Sequence, residues 1–397
     1  MSTATNCAAD RHDRSRQSLA VVAHDAGGAR ALLPVAVELQ RRGWALTLLL
    51  AGPAVKVFAE ALPVTAVADA APLEFITGKL QRRHVLAVLS ASGLYNQLEH
   101  TTRLAAQLLK LPVVAVQDAW FNHRERFERD GLASRPDVVC VMDALSLAEL
   151  ERAGFSPSQL VLTGHPGLEQ TVQQCRAATS EQVGNLRRAF GLPVDGLVFT
   201  FFSDPFFTGP AGAYYSGPGA IMRPDGQGLY GYTVRDVLPA VLGELERALQ
   251  EVNGAAELIV RPHPSECGEV VEEVVSHHRA ERLRARVESQ GTTVEWIQMS
   301  DALLGMMTIA LLQGALAGKP AVSVELGLPA SGQEDPCMAN TLGYTRAAFG
   351  SLMLRELCRC LAQRDWPALR HAPRHELPLD GATKRVADCL LRTARLA

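Results

Sequence analysis

The sequence lacks the cysteine patterns that mark disulfide-rich or zinc-binding proteins. Its eight cysteines lie at positions 7, 140, 175, 267, 337, 358, 360 and 389, with no C-x-x-C pair and no Cys/His spacing of a zinc site. Several lie inside apolar runs, such as Cys140 in DVVCVM, where a free thiol packs like a small hydrophobic side chain. We therefore expect a reducing, cytoplasmic environment and no structural disulfides.

Long apolar runs and signal-peptide features are also absent. Residues 1–17 are polar, without the charged-then-apolar order of a secretory signal, and are predicted to form a disordered tail. No apolar stretch approaches the roughly 20 residues that a membrane-spanning helix needs. The sequence thus predicts a protein without an integral membrane segment.

Charge of one sign is not concentrated anywhere in the chain. The 39 Lys/Arg and 42 Asp/Glu residues give a net charge of −3, and no Lys/Arg block marks a nucleic-acid groove. No carboxylate pair or His/Asp cluster has metal-ligand spacing. We therefore expect no nucleic-acid partner and no bound metal. The 397 residues, 47% of them hydrophobic, suffice for two soluble domains and leave the oligomeric state open.

The first half of the chain alternates short apolar strands with helical segments. This alternation predicts a parallel sheet with helices on both faces. Strands are predicted at 19–23, 45–50, 64–67, 85–89, 113–116, 137–142 and 160–162, and helices at 29–42, 73–83, 94–110 and from 145.

Polar residues follow the first predicted strand, where a parallel sheet binds ligands. His24 and Asp25 are candidate catalytic residues because side chains at this point face the ligand site. Gly27 and Gly28 either let a ligand approach the start of the next helix or only make a tight turn. The sequence does not match G-x-G-x-x-G here, so no dinucleotide cofactor is expected.

Asp118 is the best candidate for a general base in the first half. It follows the strand at 113–116, beside Trp120, where exclusion of water would raise the pKa of the carboxyl group and suit it to accept a hydroxyl proton. The alternative is a structural role, in which Asp118 caps the next segment or pairs with Arg124.

The segment TGHPG at 163–167 interrupts the alternation and is the predicted domain boundary. The predicted domains are 18–167 and 168–375, joined by a helix at 168–190. A helix within 376–397 is predicted to cross back onto the first domain.

The second half begins with a strand at 197–202, which is followed by Ser203. A loop at 206–231 then carries seven glycines. A loop of this length is either a functional flap over the ligand or disordered.

A histidine between two prolines follows the strand at 258–260, in the sequence R-P-H-P. Because Pro262 and Pro264 restrict the backbone on both sides, they hold the His263 imidazole in one place. An imidazole so placed is able to donate a hydrogen bond to a phosphate oxygen or to protonate it. Arg261 would add positive charge to the same site.

A second signal runs from Gly305 through Met306 and Met307 to Thr308, where a helical pattern starts. Backbone N–H groups and a hydroxyl at a helix N-terminus favour a bound phosphate. Gln313 lies about one and a half turns further along, within reach of a ribose hydroxyl. The alternative is a buried helix packed on small residues.

These motifs resemble the GT-B superfamily, which holds glycosyltransferases that use nucleotide-sugars and UDP-N-acetylglucosamine 2-epimerases. The resemblance rests on RPHP, on GMMT followed by ALAGKP, and on two αβα halves. Segments QDAWFNHRERF, SDPF, GYTVRDVL and RPHPSE also resemble bacterial surface-carbohydrate (capsule-type) biosynthesis proteins. The resemblance implies a GT-B fold, in which two Rossmann-like αβα domains have parallel sheets facing a central cleft. It further implies that 18–167 is the acceptor-side domain and 168–375 the nucleotide-side domain.

The resemblance further implies a metal-independent, inverting glycosyltransferase that uses a cytidine or uridine nucleotide-sugar and a hydroxyl acceptor, with no separate cofactor. His263 and Thr308 would contact the donor phosphate, and Asp25 or Asp118 would be the base. Many members have a Glu where this chain has Gln313, which leaves the nucleotide open. The alternatives are an epimerase or hydrolase of nucleotide-sugars and a non-catalytic nucleotide-binding protein.

Overall fold

Two compact α/β units make up the chain. The computed structural model describes residues 17–94, 96–129, 131–204, 230–263, 268–370 and 372–396. Met1–Gln170 with Glu376–Ala397 form the first unit, and Thr171–His375 form the second. No helix among the described residues is long and apolar enough to span a membrane.

The first unit is built on a six-stranded sheet in the order β2-β1-β3-β4-β7-β8, and all its pairs are parallel. Helices pack on both faces because the strands are apolar on both faces. The strands are β1 (Ser18–Ala23), β2 (Ala45–Leu50), β3 (Val85–Ser90), β4 (Val113–Val116), β5 (Glu128–Arg129), β6 (Leu132–Ala133), β7 (Val138–Val141) and β8 (Leu160–Leu162); β5 and β6 form a separate antiparallel pair. The helices are α1 (Ala26–Arg41), α2 (Pro53–Ala59), α3 (Leu73–Arg82), α4 (Leu98–Leu108), α5 (Ala144–Arg152) and α6 (Pro166–Ala177), with a 3₁₀ turn at Pro157–Gln159.

The second unit repeats the architecture with a six-stranded parallel sheet in the order β11-β10-β9-β12-β13-β14. Its strands are β9 (Leu197–Phe202), β10 (Ala256–Arg261), β11 (Leu283–Val287), β12 (Ala302–Gly305), β13 (Ala321–Val324) and β14 (Arg346–Ala348). Its helices are α7 (Ser180–Ala189), α8 (Val234–Glu251), α9 (Gly268–His277), α10 (Thr293–Met299), α11 (Ile309–Leu316), α12 (Leu328–Ser331), α13 (Met338–Thr341) and α14 (Ser351–Ala362), with a 3₁₀ turn at Pro367–Leu369. The predicted α/β class with two Rossmann-like units is therefore confirmed.

Several predicted elements differ from the structure. The predicted helix at 168–190 is two helices, because Thr179 and Gln182 form a capping box that starts α7 as a separate helix. The predicted strand at 64–67 makes only one isolated bridge, between Ala66 and Leu50. The predicted tail at 1–17 and the predicted flap at 206–231 lie outside the described residues, except for Gln17 and the last two residues of the loop.

A final helix, α15 (Ala382–Thr393), packs in the core of the first unit. Glu169, which lies in α6 and is almost fully buried, accepts hydrogen bonds from Gly381 N–H (2.6 Å), Thr383 N–H (2.8 Å) and the Thr383 hydroxyl (2.6 Å). Because these donors lie at the N-terminus of α15, the carboxylate caps the helix from outside.

Replacing this cap tests whether it anchors the C-terminal segment. Glu169→Gln is expected to lower the free energy of unfolding of the first unit by about 2 kcal/mol, because an amide cannot accept through both of its polar atoms. Urea unfolding followed by circular dichroism measures the change, with the exposed Glu60→Gln as the matched control. An unfolding free energy that stays the same in both variants would contradict the proposed anchor.

Candidate functional site

In the second unit, three neighbouring strands end at the same level. Phe202 at the end of β9 pairs with Arg261 of β10 on one side and with Gly305 of β12 on the other. The chain runs outward from β9 through β10 to β11 and then returns to β12, so the strand order reverses between β9 and β12. This reversal is the position where open α/β sheets bind ligands.

The segments that follow these strands carry the predicted phosphate-binding residues. Ser203 directly follows β9, and both Ser203 and the neighbouring Asp204 are buried. His263 and Thr308 follow the strands on either side of β9, and strands separated by one intervening strand lie about 10 Å apart. The structure therefore brings Ser203, His263 and Thr308 to one edge of one sheet.

His263 is half-buried two residues beyond the end of β10. Loss of contact with water lowers the pKa of its imidazole below the usual value. The ring is therefore neutral at pH 7, with one nitrogen as a donor and the other as an acceptor.

Thr308 is the N-cap of α11, and its hydroxyl accepts a hydrogen bond from Ala310 N–H (3.3 Å). Gly305 and Met306 do not belong to this helix start, contrary to the prediction. Gly305 is the last residue of β12, where an added Cβ would lie 2.7 Å from the carbonyl oxygen of Phe202. The Met306 side chain is buried in the core, whereas Met307 and Thr308 are half-buried directly before the start of α11.

The structure gives Arg261 a different role from the predicted one. Its guanidinium donates to the carbonyl oxygens of Glu288 (2.5 Å), Gln290 (2.6 Å) and Gly291 (2.9 Å), and it lies over the ring of Trp296. These contacts fix the loop after β11 against the end of β10. Arg261 thus has a structural role that the sequence analysis did not predict.

Gln313, the predicted ribose ligand, is a half-buried residue of α11. Its side chain makes no hydrogen bond to any other residue that the structure describes. The amide is therefore available to a ligand, although its orientation toward a ribose is a prediction.

A buried acidic group at the same edge was missed by the sequence analysis. Glu325 directly follows β13 and accepts a hydrogen bond from Asn340 Nδ2 (3.0 Å), which also donates to Asp335 (3.0 Å). Burial and the nearby Asp335 raise the pKa of Glu325 to about 8. The carboxyl group is therefore mainly protonated at pH 7. Its position directly after the apolar run at 321–324 is the same kind of signal that singled out Ser203, but the sequence does not show that the side chain is buried.

The first unit has an equivalent reversal of strand order, between β1 and β3. His24 and Asp25 follow β1, and His24 Nδ1 lies 2.7 Å from Asp25 Oδ1. The other ring nitrogen, Nε2, lies 3.8 Å from Asp69 Oδ1. The imidazole is therefore held between two carboxylates at the edge of the sheet.

Asp118 follows β4 at the same edge and has two partners on one oxygen. Ser92 Oγ donates to Oδ1 (2.8 Å), and Arg126 Nη1 donates to the same atom (3.0 Å). The structural alternative named Arg124, but Arg124 pairs with Glu128 instead (2.7 Å). Asp118 Oδ2 is the oxygen left for a substrate proton.

Gly27 and Gly28 lie in the first turn of α1, so they do not form a tight turn before the helix, and the approach of a ligand to them stays a prediction. An added Cβ would lie 3.6 Å from Asp118 Oδ2 at Gly27 and 3.1 Å from it at Gly28. At Gly28 it would also lie 2.6 Å from the Ala91 Cβ. Gly28 thus lets α1 approach the loop after β3, and both glycines leave the Asp118 Oδ2 side open.

His165, in the predicted boundary segment, is a buried histidine of the first unit. Burial lowers its pKa to about 4, although the nearby Asp118 opposes this shift. Its Nδ1 accepts a hydrogen bond from Leu168 N–H (3.1 Å), so the proton lies on Nε2. His165 is therefore a neutral donor, which the sequence analysis treated only as part of a domain boundary.

The first-unit edge is rich in acidic and imidazole groups. Among the residues that the structure describes, no group of three or more His, Cys, Asp or Glu side chains is arranged to hold a metal ion. The His24 imidazole, which lies 2.7 Å from Asp25 Oδ1, and the Asp118 carboxylate are groups of the kind that transfer protons.

Comparison with known proteins identifies the fold. No protein-family profile and no curated protein matches the chain. Among solved structures, Methanocaldococcus jannaschii UDP-GlcNAc 2-epimerase is similar over 95% of this chain and 99% of its own, with a TM-score of 0.66 and 12% identity. Staphylococcus aureus MnaA in complex with UDP matches over 96% and 97%, with a TM-score of 0.62 and 12% identity. Acinetobacter baumannii MurG matches over 95% and 99%, with a TM-score of 0.51 and 15% identity. The two units of this chain therefore have the GT-B fold.

Proposed function

We propose that the protein is a glycosyltransferase that moves a sugar from a nucleotide-activated donor to a hydroxyl acceptor with inversion. The proposal rests on the observation that β9, β10 and β12 of the second unit end at the same level of the sheet. This arrangement brings His263, Ser203 and the N-terminus of α11 to the point where the strand order reverses. Similarity to structures that include a UDP complex supports a nucleotide as the ligand.

The donor phosphate is assigned to the second unit. The N-terminus of α11 offers the positive end of the helix dipole and the Thr308 hydroxyl, and His263 offers a ring N–H. Because the His263 imidazole is neutral at pH 7, it donates a hydrogen bond to the phosphate without acting as a fixed cation. These groups stabilise the negative charge that develops as the sugar–phosphate bond breaks.

The proton transfer is assigned to the first unit. The acceptor O–H loses its proton to Asp118 Oδ2, or to the His24–Asp25 pair. The acceptor oxygen then forms a bond to the anomeric carbon. The bond from that carbon to the phosphate oxygen breaks, and its electron pair leaves with the nucleotide. One displacement inverts the anomeric configuration, and no metal is required to accept charge.

An epimerase or hydrolase of nucleotide-sugars is the second candidate. The observation that favours it is the set of three carboxylates and two imidazoles at the first-unit edge: Asp25, Asp69, Asp118, His24 and His165. Such a set offers acids and bases around one sugar ring. Two of the similar structures, those of the epimerase and of MurG, represent the two reaction types. Incubation of the protein with nucleotide-sugar and no acceptor separates the candidates, because rapid formation of epimer or free sugar contradicts the transferase.

The nucleotide site predicts a ligand-induced rise in melting temperature. A panel of cytidine and uridine diphosphates and monophosphates is expected to stabilise the protein by about 2.7 kcal/mol at 100 times the dissociation constant. His263→Ala is expected to weaken this binding, because one donor to the phosphate is lost. His277→Ala is the matched control, since His277 is exposed at the end of α9. If no nucleotide shifts the melting temperature, the site is not a nucleotide site.

The proton-transfer assignment predicts a separation of binding from turnover. Asp118→Asn is expected to lower kcat by about 100-fold or more, because an amide cannot accept the proton. Nucleotide affinity is expected to stay unchanged, since the phosphate site belongs to the other unit. Steady-state kinetics with titration calorimetry measures both, and the exposed Asp195→Asn is the control. Full turnover by Asp118→Asn would assign the base to the His24–Asp25 pair.

A further inference from the structure

We propose that Glu99, which no motif singled out, is a positioning residue that holds the proton-transfer groups of the first unit in place. The test of this proposal by enzyme activity rests on the proposed function. The structural basis of the proposal is independent of that function, since the Glu99 carboxylate joins the segments after β1 and β3. Those two segments carry His24 with Asp25 and Ser92 with Gly93.

The carboxylate connects the two segments through one hydrogen bond to each. Glu99 Oε1 accepts from His24 N–H (3.0 Å), and Oε2 accepts from Gly93 N–H (2.6 Å). The parallel ladder between β1 and β3 ends nearby, where Ala91 N–H donates to the carbonyl oxygen of Val22 (3.0 Å). The N–H groups of His24 and Gly93 lie beyond this ladder and need other acceptors. A carboxylate, with an acceptor on each side, satisfies both.

Glu99 lies in the first turn of α4 and is fully buried, so its charge needs compensation. Arg103, one turn further along α4 and also buried, lies 4.0 Å from the carboxylate. Its guanidinium donates to Ser90 Oγ (3.0 Å) and to the Ala91 carbonyl oxygen (3.2 Å). Helix α4 therefore supplies both the carboxylate that accepts from the backbone N–H groups and the guanidinium that donates to the Ser90 and Ala91 oxygens.

We call the two hydrogen bonds from His24 N–H and Gly93 N–H to the Glu99 carboxylate the Glu99 brace. The brace is in contact with the groups that are assigned to proton transfer. Gly93 packs closely against these groups, because an added Cβ would lie 2.2 Å from Asn96 Nδ2, 2.5 Å from Asp25 Oδ2 and 3.2 Å from Glu99 Oε2. Ser92, the residue before it, donates to Asp118 Oδ1 and accepts from Arg126 Nη1 through its carbonyl oxygen (2.6 Å). A shift of the Gly93 backbone would therefore disturb Asp25 directly, and it would disturb Asp118 through Ser92.

The brace depends on the ionisation of Glu99. Burial, Asp118 and Asp25 raise the pKa of Glu99 to about 7, while Arg103 and the Gly93 N–H oppose the shift. These groups and the backbone of His24 are the ones that face the carboxyl group, from α4 and from the segments after β1, β3 and β4. Protonation places an O–H on an oxygen that a backbone N–H needs as acceptor. The brace is therefore complete above about pH 7 and weakens as the pH falls.

Glu99→Gln tests the brace because it keeps the size of the side chain and removes one acceptor and the ionisation. We expect kcat to fall about 10- to 100-fold with the nucleotide-induced thermal shift unchanged, since a misplaced group loses rate and not nucleotide binding. The wild-type rate is expected to rise with pH through about 7, and this rise is expected to disappear in Glu99→Gln. Glu60→Gln, an exposed residue of the same unit, is the control. An unchanged kcat and pH profile in Glu99→Gln would overturn the proposal.

A readout that does not need turnover keeps the inference separate from the proposed function. The ¹⁵N shifts of the His24 ring, followed against pH by NMR, are expected to move in Glu99→Gln and to move less in Glu99→Asp, which keeps a charge but reaches only one N–H. If the wild-type protein turns over no nucleotide-sugar, the proposed function fails, while a changed His24 titration still supports the positioning role. An unchanged His24 titration in both variants overturns that role, whatever the activity.

Discussion

Parallel pairing is the constraint on which both sites depend. In a parallel sheet every strand leaves at the same edge, so the residues after different strands meet without being close in sequence. In the second unit, Phe202 pairs with Arg261 and with Gly305, so β9, β10 and β12 end side by side. In the first unit, Val22 likewise pairs with Ser90, and Ser90 pairs with Ala115. A shift of one residue in either register would turn the polar residues away from the edge.

The sequence was informative wherever a signal is local. Apolar runs located most strands to within one or two residues, and the polar residues after them were placed at the correct edges. The same local signals failed where two elements follow each other without a break in the helical pattern. The capping box of Thr179 and Gln182 splits 168–190 into two helices, although its residue types are common within helices. The helix at Pro53–Ala59 was missed because its seven residues make too short a periodic pattern.

The sequence could not predict which side chains pair with each other. Arg124 and Arg126 are equally plausible partners of Asp118 from their spacing, and only the fold turns Arg126 toward it. Arg261 has the charge for a phosphate but is used by three carbonyl oxygens of a neighbouring loop. Glu99 looks like one more acidic residue in the first turn of an amphipathic helix, where charge normally faces solvent. Glu99 is buried because α4 packs against β1, and the sequence does not show this tertiary contact.

Burial gives the two edges different electrostatic properties, although the sheets that build them are alike. In the second unit it keeps His263 neutral and Glu325 mainly protonated at pH 7, which removes one negative charge from the edge that holds the start of α11. A phosphate at that helix start then meets less repulsion. In the first unit, buried arginines instead compensate buried carboxylates, as Arg126 does for Asp118. That edge retains proton acceptors, so the difference in burial and pairing accounts for assigning charge stabilisation to one unit and proton transfer to the other.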